Sequence, residues 1–107
     1  MSDFYTPPVG AFIHFDMPGC GYGIVVARGR TLNEEGGMVM ETHILWEGNQ
    51  WSSIDDLKIP HGDPFWRLVL PQLPASTLVH ARNLWRHLML ERKRHDECDG
   101  CPELRLQ

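Results

Sequence analysis

The chain has 107 residues, 42% of them apolar, and a formal net charge of −4. That size fits one domain with a limited core, and no apolar run reaches the ~18 residues needed to span a bilayer. Three cysteines, an odd and low count, exclude a secreted disulfide framework, and residues 1–8 lack the basic-then-apolar pattern of a signal peptide, so a cytoplasmic location is expected.

In chain order, Pro7 and Pro8 end a short leader, and Val9 to Phe15 is rich in strand formers. Pro18-Gly19-Cys20-Gly21 is a turn, followed by a second strand over 22–28 with the branched run Ile24-Val25-Val26. Residues 30–37 are polar and end in Gly36-Gly37, a loop. Residues 38–47 alternate, so that Met38, Met40, Thr42, Ile44 and Trp46 share the more apolar face. Gly48-Asn49 then reads as a two-residue hairpin turn, which pairs Glu47 with Gln50 and sets Trp46 opposite Trp51. A fourth strand from Ser52 and a short return over 57–59 end at Pro60.

Two helices are expected behind these strands. Asp63 is placed to cap and Pro64 to start a short helix through Leu70, which Pro71 ends. Pro74 opens a longer one to about His95. At about 100° per residue, Leu78, Ala81, Leu84, Trp85, Leu88 and Met89 fall on one apolar arc. Arg82, Arg86 and Lys93 line up beside it, and Val79 and Leu90 lie together on another side. The expected fold class is therefore α+β: one domain over 1–107, with a five-stranded, mostly antiparallel barrel over 9–59, a short and a long helix over 63–95, and a mobile acidic tail over 96–107.

The Gly21-Tyr22-Gly23-Ile24-Val25-Val26 strand, the Leu45-Trp46-x-Gly48-x-x-Trp51 hairpin and the Ser53-x-x-Asp56-Leu57-x-Ile59 closure together resemble the Src-homology-3-like small barrels, including Tudor-like and KOW-like modules. They are also similar to small phage proteins carrying a Gly-Tyr-Gly-Ile-Val strand and a Leu-Trp-x-x-Gly hairpin. The resemblance implies binding rather than catalysis. Tyr22, Trp46 and Trp51 would supply aromatics and Glu34-Glu35 an acidic loop, while the proline-binding signature is missing. In a phage setting, the chain would be an inhibitor or modulator of a host or viral protein machine, acting in the host cytoplasm.

Charge is uneven along the chain. Residues 1–74 hold nine acidic side chains against four basic ones, and residues 75–95 hold five basic ones against Glu91 alone. The long helix is therefore the candidate interface, through Val79, Arg82, Arg86, Leu90, Lys93 and Arg94. It would dock on an acidic protein or on a second copy, since apolar anchors give affinity and flanking charge gives orientation. A nucleic-acid contact is the alternative, weakened by the net charge and a sequence pI of about 5.8. A third reading is zinc: His95, Cys98 and Cys101 form His-x2-Cys-x2-Cys, with Cys20, His14 or a helix histidine as fourth ligand. Apart from that zinc, no cofactor is implied. No nucleophile stands at a recognisable spacing from a base, so no enzyme is expected.

Overall fold

The computed structural model describes residues 3–99, with side chains as far as Arg92. Seven strands and one helix follow in order: β1 (Phe4–Tyr5), β2 (Phe12–Phe15), β3 (Gly21–Leu32), β4 (Met38–Trp46), β5 (Gln50–Asp55), β6 (Ile59–Pro60), β7 (Trp66–Leu70) and α1 (Ala75–Asp99). The five-stranded sheet has the order β5-β4-β3-β2-β7, antiparallel throughout, and β1 and β6 form a separate two-stranded sheet. The fold is mainly β.

The expected short helix over 63–70 does not form. The capping signal is real: Asp63 Oδ1 accepts from the N–H of Phe65 at 2.7 Å and of Trp66 at 3.0 Å. The chain beyond it is extended, because β2 offers a hydrogen-bonding edge and Trp66 stacks on Phe15 at 4.0 Å. Sheet pairing with a partly buried aromatic contact outweighs the local helical signal. The fifth strand of the main sheet is thus β7, and α1 is the single helix among the described residues, so the expected α+β barrel with a short and a long helix gives way to a mainly β fold of one five-stranded and one two-stranded sheet. The segment around Ile59, expected as the fifth strand of a barrel, pairs instead with the leader at Tyr5. The helix also continues past His95 to Asp99.

The β4–β5 register differs by one residue from the two-residue turn. Trp46 pairs with Gln50 and Leu45 with Trp51, so residues 47–49 form a three-residue connection. Gly48 and Asn49 adopt φ of 74° and 59°, the left-handed conformation that glycine and asparagine tolerate best. Because side chains alternate, one extra loop residue sends Trp46 and Trp51 to opposite faces. Trp46 enters the first core cluster and Trp51 packs against the second. The indole N–H of Trp46 donates to Ser52 Oγ at 2.8 Å.

These two clusters lie on the two faces of the sheet. The first gathers Ala11, Ile13, Val25, Ile44, Trp46, Leu57 and Ile59, with Tyr5 packed against it. The second joins Val26 and Leu45 to Ala81 and Trp85 of α1. A register shift between Val25 and Ala27 leaves Val26 as an extra residue in β3. Pairing resumes at Ala27, opposite His43, so Val26 and Ala27 both serve the helix side.

Gly23 makes room for Trp46. A Cβ there would lie 2.7 Å from Trp46 Cε3 and 2.8 Å from Ile44 Cγ2. Gly23→Ala is therefore expected to lower stability by about 1–3 kcal/mol through overpacking, read from urea unfolding followed by circular dichroism. Tyr5 supplies a second expectation. Desolvation by burial, and then the negative charge of Asp63, push its phenol above the ordinary value of 10.0. The folded state keeps a proton that the unfolded state loses, so this contribution is intact below pH 10 and is lost as pH rises through the folded value. Tyr5→Phe should make the alkaline loss of stability shallower than in the wild type, measured by urea midpoints across pH 9–11.

Candidate functional site

The candidate site is built on α1. Its first intrahelical bond runs from the Leu78 N–H to the Pro74 carbonyl at 3.1 Å, and the preceding Leu73 N–H is tied to the Gly10 carbonyl at 2.8 Å. The apolar arc read from the sequence turns toward the sheet. Ala81 and Trp85 are buried there, and Leu88 and Met89 pack beside them. Leu84, on the margin of the arc, is 36% exposed.

That docking fixes what faces outward. Val79 and Leu90 are 57% and 59% exposed, and Arg86 between them is exposed as well. Eleven residues at about 1.5 Å each put the two apolar groups roughly 16 Å apart on one line of the helix. They do not fold back on residues 65–66, since Trp66 belongs to the first cluster with Phe15 and Trp46. Arg82 differs from a free surface residue: it is half-buried, and its Nε has no acceptor among the described residues. The side chains of Lys93 and Arg94 lie outside the described residues.

The zinc reading cannot be placed in the same way. The side chains of His95 and Cys98, and all of Cys101, lie outside the described residues. Cys20 is half-buried, is a free thiol and packs against the first cluster. Among the described residues, no three His, Cys, Asp or Glu side chains come together as a metal-holding group.

The aromatic residues do not form one exposed row. Trp46 is 5% exposed inside the first core. Tyr22 is 38% exposed, stacked on Phe12 at 5.3 Å and edge-on to His14 at 4.7 Å. Trp51 is half-buried under Arg92, whose guanidinium carbon sits 4.6 Å from the ring centroid. This cation–π contact ties the distal part of α1 to β5, and no spacing in the chain announced it, because the partners are 41 positions apart.

Beneath the helix lies a polar group on β4. Glu41 and His43 point to the same side of β4, with His43 Nε2 2.7 Å from Glu41 Oε1. The His43 ring is 5.2 Å from Trp85 and 6.2 Å from Trp51. Its Nδ1 and the Trp85 Nε1 are both buried with no partner among the described residues. Alternation along β4 places His43 on the side away from Ile44, which was the only signal available.

Comparison of the chain with protein-family models, with curated proteins and with solved structures gives no match. Among the described residues, no helix is long and apolar enough to cross a membrane. The inward and outward faces of α1 are expected to respond differently to change. Val79→Ser and Leu90→Ser should stay within about ±0.5 kcal/mol of the wild type, whereas Trp85→Ala should cost about 3–5 kcal/mol, by urea unfolding.

Proposed function

We propose that the chain is a non-enzymatic protein-binding domain and that the outward side of α1 docks on an acidic protein surface. The observation that carries this reading is the exposure of Val79 and Leu90 on the side of α1 turned from the sheet, with Arg86 between them. Burying two aliphatic anchors supplies affinity, and the arginine selects and steers a partner of opposite charge. The acidic bias of residues 1–74 sharpens the contrast, because the basic side chains concentrate on the helix.

The surroundings of His14, His43 and His61 support the non-catalytic part. His14 lies against Tyr22, His61 against Tyr5, and His43 is engaged by Glu41 beneath the helix. The Ser52 hydroxyl accepts from the Trp46 indole. These contacts hold the three histidines and Ser52 apart from one another, not as the nucleophile–base pair of covalent catalysis.

The experiment is affinity capture from a bacterial lysate with the wild type and with an Arg86→Glu, Leu90→Ser double variant, followed by mass spectrometry. Arg86 is preferred to Arg82 for charge reversal because it is exposed, whereas Arg82 is half-buried. The expected result is a protein retained by the wild type, lost by a variant of unchanged melting temperature, and released from the wild type by added salt. Equal capture by both chains would place the interface elsewhere. Retention of nucleic acid in place of protein would favour the phosphate-binding alternative and overturn the reading.

A further inference from the structure

We propose that α1 is a releasable strap: the helix opens from the sheet as a unit while the β elements stay folded, and the apolar sheet face beneath it is a site whose occupant is α1 itself. Four observations lead there. The first core is assembled from strands and their loops alone, with Ile13, Val25, Ile44, Trp46 and Ile59 at its centre. The second core exists only while α1 is docked, and its buried members are Val26 and Leu45 on the sheet and Ala81 and Trp85 on the helix.

The contact between helix and sheet is also incompletely paired. Four buried side-chain polar atoms lack a partner among the described residues: Trp85 Nε1 and Arg82 Nε on α1, His43 Nδ1 on the sheet residue beside the Trp85 ring, and Thr42 Oγ1 on the opposite side of β4. Three of the four thus sit at the helix contact and one on the side of the larger first core, which weakens the helix contact relative to that core. The connection to β7 suits an opening motion. Pro71, Gln72 and Pro74 are exposed, and among the residues of that link Leu73 is held through its N–H to the Gly10 carbonyl.

Opening would expose Ile24, Val26, Ala27, Leu45 and Trp51 and break the Arg92–Trp51 contact. Exposure of that face keeps the open form a minor population. It also makes the helix a cooperative unit with its own, smaller opening free energy. The device does not depend on what docks on the outward side of α1.

Native-state hydrogen exchange on the full chain, at rising sub-denaturing urea, tests it. Amides of residues 79–90 are expected to exchange together, at least about tenfold faster than core amides of β3 and β4 and with a shallower urea dependence. A rate and slope shared with those core amides would overturn the strap, because the chain would then open only globally. Individual rates with no urea dependence would overturn it as well, since they signal fraying.

Discussion

The extra residue in β3 at Val26 is the constraint on which both halves of the core depend. β3 runs through the middle of the sheet and must serve two faces. Simple alternation would give each face one residue in two. The bulge gives Val25 to the first cluster and then delivers Val26 and Ala27 to the helix side in succession. Val25 and Val26 are both completely buried, and each occupies a different core. A branched pair suits this position, since both side chains are short, stiff and strand-compatible.

The two clusters differ in kind. Around Trp46 the packing is layered with aromatics: Phe15 and Trp66 stack, and the Trp46 indole is held by Ser52 and seated over a glycine. Under α1 the packing is thinner and more polar, with Trp85 over His43 and Arg92 over Trp51. One cluster sets the rigidity of the sheet. The other sets which side of α1 looks outward, and hence the surface available to a partner.

Much of this was legible in the chain where the signal was local and periodic. The arc of Ala81, Trp85, Leu88 and Met89 identified the buried side of α1, and its complement identified Val79 and Leu90 as outward residues. The strands around Ile24 and Ile44 were equally clear. Three features were not. The turn at residues 47–49 hides its length, because Gly48 and Asn49 suit two- and three-residue loops alike and the count decides which face Trp51 takes. The contacts of His43 with Trp85 and of Arg92 with Trp51 join residues distant in the chain. The strand at β7 was masked by a capping aspartate that serves either conformation.

That last ambiguity bears on the order in which the molecule assembles. The β3–β4 and β4–β5 hairpins close short loops, whereas Phe15 must find Trp66 across 51 positions of chain. Loop-closure entropy disfavours the long-range pairing until the β2 edge already exists as a template. Until then Asp63 can organise the start of a helical turn over Phe65 and Trp66 as readily as a strand. The segment is a local–global conflict in the sense of a frustrated landscape. Loop-closure entropy therefore favours its resolution after the central hairpins have fixed the place where Trp66 must land.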